Sequence, residues 1–144
     1  MNNKEEHYPD KMLRGISTNK FVIGGVVTDE AFNLDPVRED GFCEISVTWY
    51  DEPEALNVLM TQRKSTGEIQ FSAGAVEIDR SDLNEKMKVH FLENRLSYER
   101  KPTYNNKYHG NILVNNNTDK QMKRLIKFGL ATIAGGNIYR NPNV

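Results

Sequence analysis

The stretch Glu44-Ile45-Ser46-Val47-Thr48-Trp49-Tyr50 alternates apolar and polar side chains and is rich in β-branched and aromatic residues. This pattern predicts a half-buried β-strand. Asp51-Glu52-Pro53-Glu54 follows directly, in which Asp51 can cap the first free N–H groups of a helix and Pro53 fits its first turn. Apolar residues between Ala55 and Met60 then supply one helix face. A strand, a turn and a helix therefore locate the core.

Length and composition indicate one globular domain. At 144 residues the chain can bury roughly two-thirds of its unfolded surface. Its hydrophobic fraction of 38% and charged fraction of 27% exclude an intrinsically disordered protein. Cys43 is the only cysteine, which excludes an internal disulfide. We expect a flexible N-terminus over residues 1–10 and a single globular domain over residues 11–144.

Short runs of β-type residues recur on both sides of the central strand. They lie at 12–16, 21–27, 75–78, 87–91, 96–98 and 108–114. Short spacings in the second half of the chain favour hairpins over parallel crossovers, with Glu93-Asn94 as one hairpin turn. The stretch from 44 to 78 is long enough for one strand–helix–strand crossover.

The clearest helix lies near the C-terminus. Apolar residues recur at helical spacing from Met122 to Ile133, after a capping box of Thr118 and Gln121 and before Gly135-Gly136. The sequence therefore predicts an α+β fold. We expect a mostly antiparallel twisted sheet of five to seven short strands, with two main helices at about 52–62 and 119–134 packed on it.

The net charge of -1 conceals an asymmetry. Residues 95–144 hold nine Lys or Arg against Glu99 and Asp119, a net charge of +7. The other 94 residues hold ten basic and 18 acidic residues, a net charge of -8. This division is typical of a surface for phosphates or for an acidic partner, or else the two parts neutralise each other across the fold.

Familiar catalytic and cofactor signatures are absent from the sequence. There is no phosphate loop, dinucleotide fingerprint, zinc-protease motif or nucleophile elbow, and the three histidines are too scattered for a metal site. We therefore expect no cofactor and no metal. No apolar run approaches the ~18 residues that cross a bilayer, and the N-terminus lacks a signal-peptide core. These features predict a cytoplasmic protein without membrane contact.

The densest polar–aromatic stretch runs from Tyr98 to Asn111. Arginine and lysine can hold phosphate, tyrosines can stack on a ring, and asparagine and histidine form directional hydrogen bonds. The alternative is a long polar hairpin loop whose tyrosines cover the edge of the sheet. The candidate ligand-binding residues of this stretch are Tyr98, Arg100, Lys101, Tyr104, Tyr108, His109 and Asn111.

Arg14 is the other candidate ligand-binding residue. It lies inside the apolar segment Met12-Leu13-Arg14-Gly15-Ile16, where a charge is unexpected. We expect its side chain either to point outward from an edge strand or to turn into a cleft. If a site exists, we expect it where the central sheet meets Arg14 and the loop around His109.

Several short segments together resemble small uncharacterised bacterial proteins. The segments are Leu13-Arg14-Gly15, residues 27–32, Ser46-Val47 and residues 51–55, followed by an Ala-Gly-Ala-Val strand, a late histidine and a C-terminal helix. More distantly, an early arginine on a strand and a later strand leading into a helix are similar to ADP-ribosyltransferase and RES-type folds. That second resemblance implies that Arg14 would hold a phosphate of NAD.

These features favour a non-enzymatic binding or accessory module of a bacterial or phage multi-protein system. It would bind a protein partner, a second copy of itself or a phosphate-bearing ligand through the basic and aromatic loop. The alternative is a nucleotide- or NAD-processing enzyme with Arg14 and Arg100 on phosphates. Nucleic-acid binding by the basic C-terminal part is a third hypothesis.

Overall fold

The computed structural model describes residues 7–35, 37–115 and 117–144, and an antiparallel sheet of six strands forms its centre. The α-helices are α1 Glu54–Met60, α2 Arg80–Val89 and α3 Lys120–Ala134. Single 3₁₀ turns lie at Asn19–Phe21, Asp29–Phe32 and Glu93–Arg95. The strands are β1 Lys11–Gly15, β2 Val22–Ile23, β3 Val26–Val27, β4 Cys43–Trp49, β5 Ala75–Asp79, β6 Leu96–Arg100, β7 His109–Val114 and β8 Ile138–Tyr139.

The six strands lie in the order β6-β7-β4-β1-β5-β8, and each neighbouring pair is antiparallel. Because β4 and β5 both pair with β1, they run parallel to each other, and α1 is the crossover between them. β1 pairs with β4 only at Met12↔Trp49 and Leu13↔Thr48. The two strands part beyond this point, which opens a gap in the sheet.

One face of the sheet, here called the packed face, is covered by α2 and α3. The two helices contribute Leu83, Met87, Ile126 and Leu130, each fully buried. Burying one such side chain stabilises the fold by about 1.5–3 kcal/mol. The strands contribute residues that are at most 2% exposed: Met12, Ile45, Val47, Trp49, Val76, Ile78, Ile112 and Val114.

The opposite face, here called the open face, is covered only in part, by the short helix α1. Leu13 and Ala75 pack there against Leu59 and Met60 of α1. Since side chains alternate along a strand, the neighbours of the packed-face residues point to this side. Beyond α1 the open face therefore carries polar side chains: Glu44, Ser46, Thr48, Glu99, His109 and Asn111.

The predicted α+β class with a mostly antiparallel sheet is confirmed, and the two predicted helices are α1 and α3. The predicted strand over 87–91 and its hairpin are wrong. This segment is the end of α2, whose N-cap Asp79 accepts a hydrogen bond from the N–H of Asp82 (3.0 Å). Leu83 and Met87, one helical turn apart, are buried, whereas Phe91 is 89% exposed. The alternating pattern belongs to an exposed helix end.

Two predicted caps also differ from the structure. Asp51 does not cap α1, whose N-cap residue is Pro53 and which has no side-chain cap. The carboxylate of Asp51 instead pairs with Arg100 (2.7 Å). Thr118 does not cap α3, because the next residue, Asp119, accepts the N–H of Met122 (2.8 Å). A neighbouring residue therefore replaces the predicted cap of α3, whereas α1 forms without any side-chain cap.

Residues 1–6 of the predicted flexible N-terminus lie outside the described ranges. The remaining part contacts the domain: the Tyr8 hydroxyl donates to the carbonyl of Tyr98 (2.9 Å), and Arg80 donates to the carbonyls of Tyr8 and Pro9. Among the described residues, no helix combines the length and apolar character that spanning a bilayer requires.

Candidate functional site

A cleft of about 240 Å³ opens where β1 and β4 part. This volume is below the ~300–1,000 Å³ of sites for drug-sized ligands. The walls come from the end of β1, the middle of β4, the segment from α1 to β5, and the loop before β7. The lining residues are Leu13, Arg14, Gly15, Ser46, Val47, Thr48, Leu59, Gln62, Gln70, Phe71, Thr103, Asn105, Asn106 and His109.

Arg14 bridges the gap between the two strands. Its Nε donates to the carbonyl of Ala31 (3.0 Å), and its Nη1 donates to the carbonyl of Ser46 on β4 (2.8 Å). Burial lowers the pKa of Arg14, with the carboxylate of Asp35 acting in the opposite direction, but a guanidinium remains charged at neutral pH. Its Nη2 has no hydrogen-bond partner among the described residues. Arg14 therefore has a structural role and keeps one donor nitrogen.

His109 lies opposite Thr48 at the start of β7. Its Nδ1 is 2.8 Å from the carbonyl oxygen of Lys101. Since a carbonyl only accepts, Nδ1 carries a proton, and Nε2 is the acceptor in the neutral imidazole. Nε2 has no hydrogen-bond partner within the described part of the chain. His109 therefore offers the cleft an acceptor when neutral and a donor when protonated.

The loop over residues 103–109 is held in place by one buried side chain. Asn106 is 4% exposed; its Nδ2 donates to the hydroxyl of Thr48 (3.0 Å), and its Oδ1 accepts the N–H of Tyr108 (3.0 Å). The main chains of Thr103 and Asn106 pair as an isolated bridge. This wall of the cleft is thereby fixed to β4 before any ligand arrives.

The apolar wall of the cleft centres on Phe71. Its ring lies so close to Gly15 that a Cβ on that glycine would clash with the ring carbons. Leu13 and Leu59 belong to the same apolar cluster. A glycine inside β1 thus allows a flat aromatic surface to lie against the strand.

Two carboxamides contribute polar groups. The Nε2 of Gln62 donates to the carbonyls of Val58 (3.0 Å) and Asn105 (2.9 Å), which leaves its oxygen available. For the side chain of Gln70, no hydrogen bond exists within the described residues. Among the described residues, the lining includes Arg14 and no carboxylate. Coulombic attraction therefore favours an anionic or neutral solute over a cation.

A second polar cluster lies on the open face beside the cleft. Arg38 forms ion pairs with Glu99 (2.6 Å), Asp40 (2.7 Å) and Glu44 (3.1 Å). The Nδ2 of the fully buried Asn111 also donates to Glu99 (2.7 Å). Burial acts to raise the pKa of Glu99, but the hydrogen bonds from Arg38 and Asn111 outweigh it and hold the pKa below its ordinary value of 4.5. Arg38 is thus shared among three carboxylates, and the cluster, with a net charge of -2, ties the loop before β4 to the sheet.

The structure brings two predicted site residues, Arg14 and His109, into one cleft. Tyr98 lies on the packed face, where its hydroxyl donates to Asn84 (3.0 Å) and its ring is 5.9 Å from that of Trp49. Desolvation by burial raises the pKa of Tyr98 to about 12. Arg100 forms a two-bond ion pair with Asp51 on the same side of β6. Tyr98 and Arg100 are therefore remote from the cleft.

The other predicted residues also lie outside the cleft lining. Tyr108 is 4% exposed, and its hydrogen bond to Glu52 raises the pKa of its phenol to about 12. Tyr104 is fully exposed at the loop tip, and Lys101 presents its main-chain carbonyl to His109. Asn111 belongs to the Arg38 cluster; its Oδ1 has no partner among the described residues. A ligand role for these residues stays a prediction.

Sequence reasoning missed Gln62, Gln70 and Phe71. These residues lie in an irregular connection in which Arg63 bridges to Ile69, and no local pattern marks them. The available signal was Gly15, because a glycine within a strand often marks a close approach by another group.

The described residues contain no group of three or more His, Cys, Asp or Glu that could hold a metal ion. Comparison of the chain with protein-family profiles, curated proteins and solved structures yields no significant match. The resemblances noted from the sequence therefore stay predictions.

Proposed function

We propose that this protein is a non-enzymatic binding module that holds a small anionic ligand in the cleft between β1, β4 and the 103–109 loop. The observation that carries the proposal is the convergence of Arg14 and His109, far apart in sequence, on a cleft whose described lining holds no carboxylate. A concave site with an apolar wall and a few convergent polar groups is typical of small-ligand binding.

Binding is favoured over catalysis by the state of the cleft hydroxyls. Nucleophilic catalysis needs a hydroxyl or thiol within hydrogen-bond reach of a base. The hydroxyl of Thr48 accepts a hydrogen bond from Asn106, and that of Thr103 donates to Asn105 (3.3 Å) and to the carbonyl of Asn106 (3.3 Å). Among the described residues, none of the three cleft hydroxyls, on Ser46, Thr48 and Thr103, is hydrogen-bonded to His109. The cleft thus supplies recognition groups without an activated nucleophile.

The test is ligand-observed NMR with acetate, benzoate, inorganic phosphate and AMP as probes. At least one probe should bind saturably to the wild type and lose affinity in His109→Gln. The control is His90→Gln, an exposed histidine at the end of α2, which should bind as the wild type does. The proposal fails if no probe binds, or if the two substitutions have the same effect.

The accessory role that we propose alongside binding is supported by the exposed face of α3. Its cations Lys120, Lys123, Arg124 and Lys127 form no ion pair with the described residues, although Lys127 donates a hydrogen bond to Asn33 (3.1 Å). Lys120 and Arg124 are exposed, and Phe128 beside them is 63% exposed. Such a surface suits salt-sensitive association with an acidic partner or a second copy.

Sedimentation velocity at low and high salt tests self-association through this face. Salt-sensitive oligomers should disappear in the double variant Arg124→Glu/Lys127→Glu and persist in the control Lys20→Glu/Lys64→Glu. A salt-independent monomer would contradict self-association. Retention of a single-stranded oligonucleotide that only the α3 variant abolishes would support nucleic-acid binding instead.

A second candidate function is processing of a nucleotide or of NAD. The favouring observation is again the shared cleft, in which Arg14 could hold a phosphate and the free Nε2 of His109 could move a proton. Incubation with NAD or AMP, followed by chromatography, should then give a product that His109→Ala abolishes. Unchanged NAD and AMP after long incubation would exclude this candidate.

A further inference from the structure

We infer that the ligand of the cleft is a single-ring carboxylate, with its ring against Phe71 and its carboxylate at Arg14. This inference rests on the proposed function and specifies its ligand class. It follows from four features of the cleft: its single charge, its flat apolar wall, its unused carboxamide groups and its volume.

The charge favours a monoanion. Arg14 is the only Lys or Arg among the described lining residues, and two of its nitrogens already donate to main-chain carbonyls. The carboxylate of Asp35 already acts on this guanidinium, so Arg14 has at most one positive charge to offer, which suits the single negative charge of a carboxylate. A phosphate monoester carries about -1.5 to -2 at neutral pH, so part of its charge would remain uncompensated in the cleft.

The wall favours a flat ligand. The Phe71 ring lies on Gly15, with Leu13 and Leu59 in the same apolar cluster. An aromatic ring placed there would gain offset or edge contacts worth about 0.5–1.5 kcal/mol beyond its buried area. A branched aliphatic chain would make contact with only part of such a surface.

The carboxamides favour polar ring substituents. The oxygen of Gln62 is left over after its nitrogen has donated twice, and the amide of Gln70 has no described partner. A hydroxyl or amino group on the ring would form hydrogen bonds with these carboxamides. A purely apolar ring would exclude water from them and leave them without a hydrogen-bond partner. The ligand class is therefore a hydroxy- or amino-substituted ring carboxylate.

The volume favours one ring. About 240 Å³ lies just below the ~300–1,000 Å³ of sites for drug-sized ligands, which suits a ring with its substituents. A dinucleotide would extend far beyond the cleft into solvent.

Isothermal titration calorimetry with 4-hydroxybenzoate, 4-hydroxybenzamide and phenyl phosphate tests the inference on the wild type. The carboxylate should bind at least about tenfold tighter than the isosteric amide, a difference of ~1.4 kcal/mol in binding free energy. It should also bind tighter than phenyl phosphate. Equal binding of acid and amide, or tighter binding of the phosphate, overturns the inference while the proposed function stands.

A substitution that adds charge without changing shape locates the site. Gln70→Glu places a carboxylate on the cleft wall and should weaken 4-hydroxybenzoate binding about tenfold. The control Gln121→Glu makes the same change on the exposed side of α3 and should leave affinity unchanged. Circular dichroism melts confirm that both variants fold. Equal affinity in both variants overturns the assignment to this cleft, and failure of every probe, acetate and phosphate included, overturns the proposed function as well.

Discussion

The two faces of the central sheet are built from alternate residues of the same strands, yet they have opposite characters. On β4, Val47 and Trp49 point into the packed face beneath α2 and α3, while Ser46 and Thr48 point to the open face. The packed face gains stability from apolar burial. The open face keeps polar groups in fixed positions and leaves a gap beside α1. A sheet covered fully on one side can carry a site on the other.

The largest difference between the packed face and the open face is expected at two adjacent residues, Trp49 and Thr48. Trp49 is fully buried against Tyr8 and Tyr98, and its Nε1 donates to the carbonyl of Glu99 (3.1 Å). Trp49→Ala should lower the free energy of unfolding by about 3–5 kcal/mol. Thr48→Ala removes one hydrogen bond to the 103–109 loop and should cost about 0.5–1.5 kcal/mol. Urea unfolding measures both, and equal losses would contradict the division.

Gly15 and Phe71 test how closely the cleft wall is packed. Gly15→Ala should lower the free energy of unfolding by about 1–3 kcal/mol, because the new methyl group meets the Phe71 ring. Phe71→Ala removes that obstacle, so the double variant should lose less than the sum of the two single losses. A double-mutant cycle from urea unfolding measures the coupling. Strictly additive losses would show that the ring does not lie on Gly15.

The Arg38 cluster predicts a pH dependence that belongs to the open face. Glu99 has a folded-state pKa below its ordinary value of 4.5, so it stabilises the fold above that pH. This contribution is lost as pH falls through the lower, folded-state pKa. Glu99→Gln should therefore reduce the loss of stability on acidification below pH 4.5, as measured by thermal melts over a pH series. An unchanged pH profile would contradict the role of Glu99.

The smallest effect on stability is expected at Phe128. Its side chain is 63% exposed on α3, away from the core below it. Phe128→Ser should change the free energy of unfolding by no more than about 0.5 kcal/mol. A large loss in a urea titration would mean that the exposed side of α3 contributes to folding rather than to association.

The sequence predicted the fold well where a local pattern had a local cause. The alternation of β4 and the 3.6-residue periodicity of α3 both arise from burial of one face, so they are visible in the chain itself. The prediction for 87–91 was wrong because two exposed apolar residues, Val89 at the end of α2 and Phe91 just after it, produce the same alternating pattern as a strand.

The candidate site could be predicted only in part. Arg14 could be predicted because a charge inside an apolar strand is unusual. His109 could be predicted because a glycine follows it in a polar loop. Gln62, Gln70 and Phe71 lie near Arg14 only because β4, α1 and β5 form a crossover around β1. Conversely, Tyr98 and Arg100 are close to His109 in sequence, but their side chains point to the packed face. Long-range pairing, which no local pattern encodes, decides both cases.

The most direct test of a ligand site in the gap between β1 and β4 is a ¹H–¹⁵N NMR titration with 4-hydroxybenzoate. The account predicts saturable shifts in the amide signals of Arg14, Gln70, Asn106 and His109, with one common affinity. Amides along α2 and the exposed side of α3 should remain unchanged. Saturable shifts confined to α3, or no saturable shift at any amide of the cleft, would contradict the account.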